Sequence, residues 1–162
     1  MKKTSPRPAR TDSPAHQLAG FLAEFTPEIA RRATVALRGL RRLVPPSIEM
    51  VYDNYNFLVV GFSPTARPSD AVLSLAIYAR GMGVCFIHGA KLPDPDRLLR
   101  GGGKQVRSLH LETGRELDDP KVKSLIASAI VHSRTPYPPG SKRTLVIQSI
   151  SAKRRPRQPR KS

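Results

Sequence analysis

Four times in this chain a side chain able to cap a helix stands directly before a proline: Ser13-Pro14, Thr26-Pro27, Asp94-Pro95 and Asp119-Pro120. Each pair is a start signal. The capping oxygen accepts an amide proton that the first turn leaves unpaired, and proline lacks that proton and already has the helical φ. Three of the four are followed by helical periodicity. Leu18, Phe21, Leu22 and Phe25 share one face after the first. Ile29, Ala33, Ala36, Leu37, Leu40 and Val44 do so after the second, with Arg31, Arg38 and Arg42 opposite. Val122, Leu125, Ile126, Ala129 and Ile130 form the face after the last. The third start, "DPDRLLRGGG", is stopped by glycines and predicts only a short turn of helix.

Between these helices the period falls to two. Ile48, Met50 and Tyr52 alternate with Ser47, Glu49 and Val51. Short β-rich runs follow, predicting five strands near 47–52, 56–62, 71–79, 83–88 and 105–111. Short connections after the first and third suit hairpins, so the sheet is expected to be largely antiparallel. The fold class expected is α+β: an antiparallel sheet of about five strands, with two main helices before it and one after it packed on one face. "RTLVIQSI" (143–150) reads as a late strand or an extended segment.

A chain of 162 residues suffices for one domain with its own core. That domain is expected at 13–135, followed by an extended segment at 136–150. Residues 1–12 and 151–162 hold no large apolar side chain beyond Met1, which predicts disordered tails. The net charge of +16 is concentrated there: +3 on the first twelve residues and +6 on the last twelve leave +7 on residues 13–150. Basic tails attract polyanions without sequence selectivity, which makes nucleic acid one expected partner. Deleting them is expected to leave the fold unchanged. A single cysteine excludes an internal disulfide framework and any multi-cysteine zinc site. "MKK" is followed by polar residues instead of a leader's apolar core, and no run approaches a membrane span of roughly 18 apolar residues. The expected location is the cytoplasm, with no membrane contact.

Several residues invite a site. "VYDNYN" (51–56) places Tyr52, Asp53, Tyr55 and Asn56 between two apolar runs. Asp53 and Asn54 suit a reversal, because their side chains bond nearby backbone and tolerate left-handed conformations. A reversal needs no aromatic, so the tyrosines leave open a packed polar cluster or a ligand wall. "RGGGKQVR" (100–107) fails as a phosphate loop, having Leu98 and Gln105 where glycine and Ser or Thr belong. Its glycines still suit helix termination or a small anion nest, followed by Lys104 and Arg107. "PTARPSD" (64–70) is a stiff loop carrying Arg67, Ser69 and Asp70. Cys85, within "GVCFI", reads as a buried thiol. His16, His88, His110 and His132 lack metal-ligand spacing, although His88 and His110 fall near strand ends. Nothing here demands an enzyme.

The stretches "VYDNYNFLVVGFSPTARPSDAVLSLAIYA" and "FIHGAKLPDPDRLLRGGGKQVRSLHL" resemble the YdhG-like family, a domain of unknown function, over about residues 15–132. The resemblance implies a frataxin-like fold and raises a non-catalytic role in iron delivery, with iron the one cofactor to consider. Frataxins carry acids on the first helix and the adjacent sheet edge, since hard cations prefer carboxylate oxygen. Here Glu28 is the only acid of an arginine-rich helix. The function expected is therefore a non-enzymatic binding or accessory protein for a small ligand or a protein partner. Its site would be lined by Tyr52, Asp53, Tyr55, Asn56, Lys104 and Arg107, with Asp53 anchored by Lys104 or Arg107.

Overall fold

Capping pairs at 13, 26 and 119 each open a helix. A computed structural model describes residues 12–159, and its helices are α1 (Pro14–Ala23), α2 (Pro27–Leu43) and α3 (Pro120–Val131). Ser13 Oγ accepts from His16 N at 3.2 Å, Thr26 Oγ1 from Ile29 N at 3.3 Å, and Asp119 Oδ1 from Lys121 N at 2.8 Å. Helix α2 ends where Val44 turns extended before Pro45-Pro46. Asp94-Pro95 behaves differently from its expected short helix. Its carboxylate accepts from Leu98 N and Leu99 N, both at 2.9 Å, and so closes a turn.

Six strands form one sheet: β1 (Ile48–Asp53), β2 (Leu58–Ser63), β3 (Leu73–Tyr78), β4 (Gly81–Phe86), β5 (Arg107–Leu111) and β6 (Thr144–Ile150). Their order is β5-β4-β3-β2-β1-β6. The first five pair antiparallel, as expected, and run as a meander in chain order. The sixth makes the sheet mixed, pairing parallel with β1 after α3 has carried the chain back across the sheet. "RTLVIQSI" is thus an edge strand of the main sheet.

Register assigns the faces. Val51, Val60, Leu75, Val84 and Leu109 lie in one row, and Leu58, Ile77, Met82 and Leu111 in the next. All of these join the buried residues of α1, α2 and α3 in one core. The opposite face carries mostly small side chains: Gly61, Ser74, Cys85 and Ser108 across one row, Val59, Ala76, Gly83 and the larger His110 across the next. On that face Tyr52 Oη lies 3.6 Å from Met50 Sδ, so the ring lies along the sheet and covers Met50. The helix-facing side of β1 carries Glu49, Val51 and Asp53, two acids flanking one valine.

The segment between β5 and α3 sits directly on α2. Gly114 has φ 91°, and a Cβ there would approach Ala36 N to 2.9 Å and Arg32 O to 3.1 Å. The Glu116 carboxylate accepts from Thr113 N and from Gly114 N at 2.8 Å, fixing this turn. A Gly114→Ala variant is expected to lose about 3 kcal/mol, since left-handed strain adds to a clash with helix backbone. Urea unfolding would measure it; a loss under about 1 kcal/mol would mean that the turn lifts freely from α2.

Residues 151–159, expected to be a free basic tail, continue from β6 past the end of β1. Ser151 N donates to Asp53 O at 2.8 Å and Arg155 N to Tyr55 O at 2.9 Å. The expectation for residues 1–11 and 160–162 lies outside the described residues.

Candidate functional site

The "VYDNYN" stretch ends β1 and turns into β2, with Asn54 N donating to Phe57 O at 2.9 Å. Asp53 is fully buried on the helix-facing side. Two arginines of the C-terminal segment hold it. Arg157 Nη2 donates to Asp53 Oδ1 at 2.6 Å and to Asn54 O at 2.9 Å. Arg154 Nη1 lies 3.0 Å from Asp53 Oδ2 and 2.6 Å from Glu24 Oε2, linking α1 to the same cluster. Arg157 is itself buried, with its guanidinium carbon 5.0 Å from the centre of the Phe25 ring. Its Nε and Nη1 have no hydrogen-bond acceptor among the described residues, so the ring face takes that place.

Burial pushes the Asp53 carboxyl above the usual carboxylate range, although Arg154 and Arg157 pull it down. Burial also holds the Arg157 guanidinium below its ordinary value, against the pull of Asp53. Both groups lose water to make the pair, and desolvation dominates at each end. The pair therefore fixes where the C-terminal segment lies more than it adds net stability.

Asp53 is thus anchored by a base, but not by the base expected. Lys104 and Arg107 belong to the loop before β5 and to β5 itself, at the far edge of the sheet. Three strands separate β5 from β1, which at about 4.8 Å per step puts roughly 19 Å between them. Arg107 closes its own glycine-rich loop, with Nη1 donating to Gly103 O at 2.5 Å and to Val106 O at 2.9 Å. Lys104 is exposed. Of the six residues expected to share a site, Tyr52, Asp53, Tyr55 and Asn56 cluster at the β1–β2 turn and the two bases do not join them.

Another set of residues does. The β3–β4 turn comes to the same end of the sheet, and Phe57 and Tyr78 meet edge to face, ring centres 5.9 Å apart at 83°. Beside them an open groove runs between the two turns and the C-terminal segment, lined by Asn56, Phe57, Tyr78, Arg80, Arg155 and Arg157 among others. Arg80 and Arg155 are exposed, Phe57 is 41 % exposed, and Tyr55 nearby is 49 % exposed. Among the described residues none lining this groove is acidic. It combines aromatic faces with the exposed positive charge of Arg80 and Arg155. Sequence reasoning missed Phe57, Tyr78, Arg80, Arg155 and Arg157. The available signal was a lone acid at the end of a strand in a chain whose terminal segment is rich in arginine.

The remaining candidates have structural partners. Asp70 Oδ2 accepts from Thr65 Oγ1 at 2.6 Å, which leads in holding its carboxyl below the usual range. Cys85, expected to be buried, is half-buried on the small-residue face, where burial raises its thiol. His110 lies 2.9 Å from Glu112, beside the start of β4, while His88 lies beyond its other end, so the two do not meet. The acids on which an iron role would have to rest are each held by arginine: Glu28 by Arg32, Glu24 by Arg154 and Glu49 by Arg41. Among the described residues no group of three or more His, Cys, Asp or Glu is placed to hold a metal ion, and no helix is long and apolar enough to cross a membrane. No family model matches the chain, and neither a curated protein nor a solved structure was found to be similar to it.

Proposed function

We propose that this is a non-enzymatic cytoplasmic binding protein that takes single-stranded nucleic acid at the arginine-and-aromatic end of its sheet, on a YdhG-like, frataxin-like scaffold. The fold reading is supported by the helix pair, the five-strand antiparallel meander and the closing helix on the same face. One observation carries the functional reading: the arginine-rich C-terminal segment is docked beside exposed aromatics instead of standing free. Arginines set at intervals along a groove neutralise phosphates, and aromatic faces stack on unpaired bases whatever the sequence. Duplex bases are already stacked on each other and offer no such face, which favours a single strand.

Fluorescence anisotropy with a labelled oligothymidylate tests the proposal. Affinity is expected to fall steeply with salt, and an Arg80→Gln/Arg155→Gln variant should flatten the slope by roughly 1.4, two lost phosphate contacts at about 0.7 each. Phe57→Ala should weaken binding about tenfold or more with the slope unchanged, because stacking is worth about 1–3 kcal/mol per base. Binding indifferent to Phe57 and equally strong for heparin would reduce the interaction to bulk charge. No binding at low salt would end it.

A further inference from the structure

A second cavity lies on the opposite side of the domain from this groove, between the 64–72 loop, the end of β4 and the C-terminus of α3. It holds about 140 Å³, close to the engineered apolar cavity of about 150 Å³ that accepts benzene. Its walls are apolar: Val72 and Phe86 from the sheet side, Leu92 from the segment after β4, and Ala129 from α3. Its rim is cationic, with Lys91 from the short 3-10 turn Gly89–Lys91 and Arg134 just past α3. An apolar chamber of one ring's volume under two cations matches a definite chemistry. We propose that this cavity binds a small carboxylate with an aryl or short aliphatic body, the body among Val72, Phe86, Leu92 and Ala129 and the carboxylate at Lys91 and Arg134.

The groups that would oppose an anion are engaged elsewhere. Asp70, also at the cavity, keeps its negative charge, but its Oδ2 accepts from Thr65 Oγ1 and lies 3.7 Å from Arg67 Nε, a cation of its own loop that offsets it. At the end of α3, Ser128 O accepts from His132 N at 3.0 Å and lies 2.7 Å from His132 Nδ1, while Ile130 O accepts from Ser133 N at 3.2 Å. These bonds blunt the negative end of the helix dipole. Burial first, then the charges of Arg134 and Lys91, hold the His88 imidazole below the ordinary histidine range. Lys91 and Arg134 both line the cavity and find no carboxylate partner within ion-pair distance among the described residues.

Benzoate and its neutral analogue benzyl alcohol are the probes, read on the full chain by amide chemical shifts. Benzoate is expected to move Val72, Gly89 and Ala129, and benzyl alcohol to bind about tenfold more weakly, a difference of about 1.4 kcal/mol. Lys91 and Arg134 are exposed, so Lys91→Gln/Arg134→Gln should fold normally. It should lose that tenfold preference while leaving oligothymidylate binding unchanged. Three outcomes would overturn the proposal: equal affinity for the two probes, no shift at these amides with millimolar benzoate, or benzoate affinity unchanged in the double variant.

Discussion

Replacing Arg157 with methionine lowers stability by about 2 kcal/mol at pH 7, the range of a hydrogen bond to a charged group, and the loss disappears or reverses in acid. The direction follows from Asp53. Its folded-state carboxyl stands above the usual range because burial outweighs the two arginines. The folded protein thus holds that proton more tightly than the unfolded chain does. The stability linked to Asp53 is complete below the unfolded aspartate value, roughly pH 3.9, and declines as pH rises through the folded value. Arg157, 2.6 Å from Oδ1, limits this decline by favouring the carboxylate. Without it the folded pKa rises further and the decline extends over a wider range, which is where the loss at pH 7 arises. Below roughly pH 3.9 the pair has no negative member, and removing the buried guanidinium then costs only its hydrogen bond to Asn54 O while relieving its desolvation. Methionine keeps most of the apolar volume over Phe25, so packing changes little. The double variant Asp53→Asn/Arg157→Met should return to within about 1 kcal/mol of the parent at pH 7, as buried pairs replaced together commonly do. Denaturant unfolding at several pH values decides the matter. A loss that does not change with pH would assign the effect to packing on Phe25 and the hydrogen bond to Asn54 O.

The second large effect lies at the other end of β1. Glu49 is 1 % exposed and is gripped by a single fork: Arg41 Nε reaches its two oxygens at 3.1 and 3.2 Å, and Nη2 reaches Oε1 at 2.8 Å. Arg143 stands 3.8 Å from Oε2 and gives weaker support. Arg41→Ala strands this carboxylate beneath α2 and is expected to cost about 3–4 kcal/mol. Arg41→Lys should recover only part of that, since an ammonium cannot match the fork. Arg41→Ala/Glu49→Leu should recover most of it. Thermal unfolding of the four proteins checks the order, and an Arg41→Ala cost under about 1 kcal/mol would show that Arg143 or water suffices for Glu49.

Both predictions concern β1, where the sequence is least explicit. Its alternation separates Ile48, Met50 and Tyr52 from Glu49, Val51 and Asp53, and the first set is the more apolar. The helices nevertheless cover the second set. Arg41 and the C-terminal arginines neutralise its acids, while Tyr52 covers Met50 on the small-residue side. A period of two tells which residues share a face, and it is silent on which face meets the core.

The same division runs through the whole molecule. The helix starts at 13, 26 and 119, their apolar stripes and the five strands of the meander were legible because each depends on residues within a turn or a few strand positions of one another. The parallel docking of β6 was not, because an edge strand pairs with whichever edge the chain meets on its return. Nor was the order of 151–159. A segment with no large apolar side chain is expected to stay disordered, since it cannot bury enough surface to offset the entropy of ordering. Here one arginine, 104 residues from its partner, enters a place that Asp53 and Phe25 had already formed. Two backbone hydrogen bonds fasten the rest. The sequence by itself determined the elements. Only the tertiary structure decided which charges face each other, because a buried ion pair depends on distance in space, on which spacing along the chain has no bearing.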